Sequence, residues 1–134
     1  MQLYIVDVFA ERRYAGNQLA VIRGAAGLST EQMQEIALEM YFSETTFILS
    51  DDQRDGGYDV RIFTTDTEMP FAGHPTLGTA AVIASEIRPA PQVTLNLQVG
   101  QIPVTLADNN VWWMRQNPPT FGDSFDHAAI AHAI

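Results

Sequence analysis

Apolar and polar residues alternate with period two along the last third of the chain, which predicts an antiparallel meander. The alternation runs over residues 93–99, resumes over 102–106 after a turn at Gly100-Gln101, and a third strand follows over 111–115. Period two places the apolar side chains on one face, so the other face of this sheet should be solvated. Stretches rich in β-branched and aromatic residues predict four earlier strands, over residues 3–9, 19–22, 45–49 and 58–63.

Two segments have the pattern of α-helices. The first has Ser29 as its N-cap, Gln32 at the capping-box position, and apolar residues at helical spacing as far as Met40. The second begins at His74-Pro75 and runs to residue 87. It is apolar nearly all round, which is typical of a helix buried on every side. Residues 64–73, just before it, are predicted to be irregular.

The element order β-β-α-β-β-α-β-β-β predicts an α+β fold with a strongly curved, mostly antiparallel sheet rolled around the buried second helix. The first helix should cover an outer face of that sheet. The length of 134 residues predicts a single domain, 1–134. Its tail, 123–134, has a helical pattern but ends in Ala133-Ile134 without a C-cap signal.

Composition excludes several chemistries. The chain has no cysteine and no lysine, and its seven basic residues are all arginines. It therefore has no thiolate nucleophile, no cysteine zinc site and no lysine for a Schiff base. The formal net charge of −9 disfavours nucleic acid and anionic lipid as partners. No apolar run approaches the ~18 residues of a membrane span, and there is no signal-peptide pattern, so a soluble cytoplasmic protein is expected.

Glu44 is the first candidate for chemistry. It lies among apolar and hydroxyl residues at a junction between helix and strand. A carboxylate that is partly desolvated there is suited to general acid–base work. The alternative is an exposed acid at the start of a strand, hydrogen-bonded to Ser43 or Thr45.

His74 is the second candidate, because a turn containing Gly73 leads into the second helix at this point. Free N–H groups and the helix dipole make such a terminus an anion site, which suits a substrate carboxylate. The dipole also favours a neutral imidazole, able to donate or accept a proton. The alternative is that His74 only caps the helix.

The third candidate is the segment Gly16-Asn17-Gln18, whose side-chain amides could bind a polar ligand or simply belong to a turn. No metal site is predicted. Asp66 and Glu68 lack the other ligands of a calcium loop, and His127 and His132, five residues apart in the tail, would face different ways.

Five blocks of sequence resemble, in the same order, the PhzF-like phenazine-biosynthesis isomerases. They are residues 6–9, VDVF; 16–21, GNQLAV; 43–47, SETTF; 61–64, RIFT; and 68–80, EMPFAGHPTLGTA. The resemblance covers the whole chain but only the first half of the family. It implies a diaminopimelate epimerase-like fold of two lobes, each a sheet rolled around a central helix, with the active site between them. Residues 123–134 would then begin the helix that links the lobes.

The resemblance also implies an activity. The family member that names the group is a cofactor-independent isomerase that moves a proton within trans-2,3-dihydro-3-hydroxyanthranilate to yield a ketone. Glu44 matches the proton-shuttling glutamate of the family, and no cofactor is expected. Substrate binding is expected from the other residues of the matching blocks, His74, Gly73, Ser43, Asn17 and Thr76.

The 134 residues match only one of the two lobes that form the family site. An aspartate and a glycine/serine-rich turn of that site come from the second lobe. A homo-oligomer or a complementary second-lobe chain is therefore expected as partner, besides a small carboxylate substrate. The competing hypothesis is a non-catalytic domain that binds a small carboxylate or buries the same surface against a partner.

Overall fold

The computed structural model describes residues 1–116 and 118–122, and over these residues it has an α+β fold. The predicted tail helix over 123–134 lies outside the described residues. The two helices are α1, Thr30–Met40, and α2, Gly73–Glu86. The eight strands are β1 Gln2–Val8, β2 Asn17–Arg23, β3 Thr45–Ile48, β4 Tyr58–Phe63, β5 Glu68–Met69, β6 Gln92–Leu97, β7 Gly100–Ala107 and β8 Val111–Met114.

All eight strands form one sheet, in the order β1-β2-β3-β4-β6-β7-β8, with β5 paired beside β4. The pairs β2–β3 and β4–β6 are parallel, and the remaining pairs are antiparallel. Parallel neighbours need a crossover connection. Helix α1 lies in the connection from β2 to β3, and α2 lies in the connection from β4 to β6. The expected mostly antiparallel sheet is confirmed.

Helix α2 is the centre around which the sheet is rolled. No residue from 73 to 84 is exposed, and the helix contacts both β1 and β8, the two ends of the sheet. Gly78 permits the closest approach, because a Cβ there would lie 2.7 Å from side-chain atoms of both Leu19 and Val8. The predicted rolled sheet with a buried central helix is therefore confirmed.

Helix α1 covers the outer face of the sheet, as expected. The capping box is present: Gln32 N–H donates to Ser29 Oγ at 3.2 Å, and Ser29 N–H donates to Gln32 Oε1 at 2.9 Å. Its apolar face packs on a second, smaller core, whose buried members are Ile22, Ala25, Met33, Ala37, Phe47 and Phe63. Neither described helix has the length and apolar character needed to cross a membrane.

Three local predictions are wrong, at the start of one helix and in two segments where strand pairing decides the outcome. Helix α2 begins at Gly73 rather than at His74-Pro75, so the proline occupies the third helical position. Proline is tolerated there because a residue in the first helical turn has no intrahelical acceptor for an N–H group. The segment predicted to be irregular contains β5, held against β4. The turn expected at Gly100-Gln101 lies at residues 98–99, because Gly100 pairs with Leu97.

Candidate active site

The N-terminal ends of two strands and one helix meet at one edge of the fold. Asn17 is the first residue of β2, Glu44 directly precedes β3, and His74 is the second residue of α2. Strands β2 and β3 are parallel, with Ala20 opposite Thr45, so their first residues lie at the same edge of the sheet. The alternative that Asn17 simply belongs to a turn is wrong, because it pairs with Val8 within the sheet.

The His74 imidazole lies between Asn17 and Glu44. Its Nδ1 is 3.3 Å from Asn17 Nδ2, and its Nε2 is 3.5 Å from Glu44 Oε2. The side chains of His74 and Glu44 are 8% and 20% exposed. The N-cap of α2 is Ala72, without a side-chain hydrogen bond, so the alternative that His74 only caps the helix is wrong.

Glu44 Oε2 and His74 Nε2 are buried and have no hydrogen-bond partner among residues 1–116 and 118–122. Their 3.5 Å separation exceeds the 2.7–2.9 Å of a charge-assisted N–H···O bond. Buried polar groups are nearly always paired, so two facing unpaired atoms call for an explanation such as catalysis. Glu44 is therefore not the exposed acid, bonded to Ser43 or Thr45, of the alternative interpretation.

A buried pair of hydroxyl groups holds β3 against α2 next to this site. Thr46 and Thr79 are fully buried, and their Oγ1 atoms lie 2.8 Å apart. Thr46 follows Glu44 by two residues, so both side chains lie on the face of β3 that meets α2. Sequence reasoning missed this contact, although the period-two spacing from Glu44 was a signal for Thr46.

Ser43 and Asn17 border a polar pocket of about 370 Å³ beside the Glu44–His74 pair. Neither Glu44 nor His74 lines this pocket, so Asn17 is the residue that joins the pocket to the imidazole. The exposed Tyr14 and Tyr41 lie at its rim. Tyr14, in the loop before β2, has a positive φ of 64°, and Tyr41, at the end of α1, has a positive φ of 56°.

The remaining candidate residues form the turn into α2. The N–H groups of Gly73 and His74 belong to the first helical turn, which lacks intrahelical acceptors. A Cβ on Gly73 would meet Met114 at an ordinary 3.5 Å, so packing alone does not require glycine there. Thr76 is fully buried, and its hydroxyl donates to the Ala72 carbonyl at 2.7 Å. Thr76 therefore supports the turn, and its contact with a substrate stays a prediction.

Two carboxylates outside the Glu44–His74 pair are bound by arginines. Arg61 binds Glu68, and the guanidinium holds the pKa of that carboxyl below its usual value. Asp51 is paired with Arg23, which likewise lowers the pKa of its carboxyl. Among the described residues, no group of three or more histidines and acids is arranged to hold a metal ion.

The fold and the site together define a class: an α+β protein in which a sheet surrounds a helix and a carboxylate faces an imidazole at the helix N-terminus. A family model described as phenazine biosynthesis-like protein, PhzC-PhzF, matches residues 6–131. The chain belongs to this family.

Two relatives show what fraction of a family member's length this chain matches. The trans-2,3-dihydro-3-hydroxyanthranilate isomerase of Pseudomonas aeruginosa is 42% identical over 102 residues, which are 76% of this chain and 36% of that protein. An uncharacterized isomerase of Mesorhizobium japonicum is 51% identical over 80 residues, which are 60% of this chain and 26% of that protein. The matches therefore span only about a quarter to a third of these relatives.

Solved structures of family members also match this chain over only part of their own length. The PhzF-family phenazine biosynthesis protein of Bacillus anthracis has a TM-score of 0.78 and 30% identity, and the match covers 100% of this chain and 48% of that chain. A PhzF-family protein of Enterococcus faecalis has a TM-score of 0.71 and 34% identity, over 79% of this chain and 40% of that one. The expected fold is thus confirmed, and the chain spans about half the length of these structures.

Proposed function

We propose that this chain is the acid–base lobe of a cofactor-independent isomerase that moves a proton between two carbons of a small carboxylate substrate. The observation that carries the proposal is the buried contact between Glu44 Oε2 and His74 Nε2, neither of which has a hydrogen-bond partner in the part of the chain that the structure describes. Relatives named as isomerases support it, among them three trans-2,3-dihydro-3-hydroxyanthranilate isomerases. That compound is the proposed substrate class.

In the proposed reaction Glu44, as a carboxylate, removes a proton from one carbon of the substrate. The released electron pair moves through the adjacent double bonds, and Glu44 returns the proton to a different carbon. The resulting enol becomes a ketone by a further proton shift. Atoms and electrons balance without an oxidant or reductant, so this chemistry needs no cofactor. One well-placed acid–base group contributes ~10²–10⁴-fold to such a rate.

The N-terminus of α2 would hold the negative charge of the substrate. Its free N–H groups at Gly73 and His74 suit a carboxylate, and the neutral His74 ring would donate a hydrogen bond to the developing oxyanion. Asn17 and Ser43 would border the bound molecule, since they line the adjoining pocket.

A second lobe would complete the site. The Glu44–His74 pair lies at an edge of the fold, where water weakens electrostatic catalysis unless the site is closed. The chain also matches less than half of each solved family structure described above. We infer that the second lobe comes from a separate chain, from a C-terminal continuation, or from a second copy in a homo-oligomer.

The test is proton exchange into trans-2,3-dihydro-3-hydroxyanthranilate in D₂O, read by mass spectrometry. The chain is assayed alone and with the separately expressed remainder of the Pseudomonas aeruginosa relative. Deuterium incorporation is expected only in the mixture, and Glu44→Gln should reduce it by about 10²-fold or more. Glu39→Gln removes an exposed acid from α1 and serves as the matched control.

The outcomes separate the hypotheses. Full activity of the chain as a monomer, established by sedimentation, overturns the need for a second lobe. Exchange that survives Glu44→Gln overturns the catalytic role of this carboxylate. Substrate binding without exchange in any mixture favours the competing non-catalytic, carboxylate-binding function.

A further inference from the structure

The contact between Asn17 and His74 determines which ring nitrogen carries the proton. Asn17 Nδ2 lies 3.3 Å from His74 Nδ1. With its amide nitrogen turned toward the ring, Asn17 can only donate, and this orientation favours Nδ1 as the acceptor and Nε2 as the protonated ring nitrogen. We propose that Asn17 is a positioning residue that fixes His74 in its Nε2–H tautomer. The catalytic meaning of this inference rests on the proposed function, whereas the tautomer itself does not.

The opposite side of the ring supports the same tautomer independently. Nε2 faces Glu44 Oε2 at 3.5 Å, and an ionised carboxylate offers only lone pairs. With the proton on Nδ1, the Nε2 lone pair would face those of the carboxylate. Because both atoms are buried, solvent would screen this repulsion poorly. A doubly protonated ring would direct an N–H on Nδ1 against the Asn17 amide hydrogens.

The fold holds Asn17 in place for this contact. Asn17 pairs with Val8 at the start of β2, and Gly16 lies so close to β1 that a Cβ there would be 2.6 Å from the Val8 carbonyl oxygen. The amide is thus presented from a strand rather than from a free loop. Aspartate in the same place would only accept, and would favour a proton on Nδ1.

This tautomer gives the two buried groups different roles in the proposed reaction. Glu44 remains a proton acceptor, and His74 Nε2–H becomes a donor that the developing oxyanion can share. If Nδ1 carried the proton, the site would contain two acceptors and no side-chain donor at this point. Asn17 would therefore act on the reaction through His74, beyond its expected place as a lining residue.

The test is ¹⁵N NMR of the histidine ring nitrogens in the isolated chain, with the His74 signals identified by their loss in His74→Gln. In the wild type at neutral pH, Nδ1 should be unprotonated and Nε2 protonated. Asn17→Asp, nearly isosteric, should move a proton onto Nδ1. Gln18→Glu is the matched control, since it adds the same charge one residue later on the opposite face of β2 and should leave the tautomer unchanged.

A wild-type ring with its proton on Nδ1 overturns the inference, as does a ring that Asn17→Asp leaves unchanged. A shift of equal size in Gln18→Glu also overturns it, because added charge would then explain the effect. In the completed enzyme, Asn17→Asp should lower kcat by roughly 10²-fold or more, an effect larger than the rise in KM that the added charge causes beside a bound carboxylate. If the tautomer changes but proton exchange does not, the donor role of His74 in the reaction is overturned, whereas the tautomer inference and the role of Glu44 stand.

Discussion

Glu68 and Glu44 are both partly buried carboxylates that face a nitrogen-containing side chain, Arg61 in one case and His74 in the other. Arg61 donates two hydrogen bonds of 2.7 Å to Glu68, and a third of 3.0 Å to Thr30. The Glu44 and His74 atoms face each other at 3.5 Å without a hydrogen bond. The two glutamate side chains are equally exposed, at 20% each, so burial of the carboxylate does not separate the pairs.

The two pairs differ in how many of their polar atoms have hydrogen-bond partners. The Arg61–Glu68 pair is bidentate and joins β4 to β5, the strand that leads into the turn before α2. Such a pair has little capacity left for a ligand and serves the structure. The Glu44–His74 pair has two buried polar atoms without hydrogen-bond partners among the described residues, a state that costs stability unless something else binds them.

Arg61→Ala should have the largest effect on stability, because it leaves the Glu68 carboxylate partly buried without its partner. It also removes the guanidinium that lies 5.1 Å from the Phe63 ring centroid. We expect a loss of about 2–3 kcal/mol in the free energy of unfolding, reduced from the fully buried case by partial exposure. Denaturant titration measures it. Arg54→Ala, which breaks an exposed pair with Asp59, is the control and should cost clearly less; equal losses would contradict the prediction.

Thr46→Val or Thr79→Val should each cost about 1–2 kcal/mol, because the remaining hydroxyl is left buried and unpaired. The double variant should cost less than the sum of the two single changes, since it removes both polar groups. A double-mutant cycle in denaturant measures this coupling. Additive losses would show that the hydroxyl contact does not tie β3 to α2, beside the site.

The acid sensitivity of the fold should depend in part on Glu68. Arg61 lowers its folded pKa from the ordinary 4.5, so the unfolded chain binds more protons in this range. The stabilisation is complete above the ordinary pKa and is lost as the pH falls through the lowered one. Melting temperatures measured from neutral pH to about 3 should fall less steeply for Glu68→Gln. An identical slope in wild type and variant would contradict this assignment.

The elements defined by local pattern could be predicted from the sequence. Helix α1 follows from the Ser29 capping box, and the burial of α2 follows from its apolar circumference. The two-residue strand β5 could not be predicted, because it is too short to show a period and depends on pairing with β4. The displaced turn before Gly100 has the same cause, since only the register with β6 places it.

The candidate site was predictable as a set of residues but not as an arrangement. Glu44 and His74 were found from residue type and from the family resemblance. Their contact joins segments 30 positions apart and needs α2 to lie against the rolled sheet. The hydrogen bond from Asn17 to His74 spans 57 positions and needs the parallel pairing of β2 with β3. No local pattern of polar residues contains that information.

Glu44→Gln should have the smallest effect on stability, and it tests the difference between Glu44 and Glu68 most directly. Glu44→Gln changes a carboxylate whose buried Oε2 has no hydrogen-bond partner among the described residues, so the free energy of unfolding should stay within about 0.5 kcal/mol or rise slightly. Glu68→Gln, the matched change in the satisfied pair, should destabilise the chain because a charged acceptor of two Arg61 hydrogen bonds is lost. Parallel denaturant titrations of both variants measure the contrast. If Glu44→Gln destabilised the chain as much as Glu68→Gln, the Glu44–His74 pair would be a structural contact like its counterpart. A stable Glu44→Gln chain that has lost proton exchange would show that this carboxylate is retained for chemistry rather than for folding.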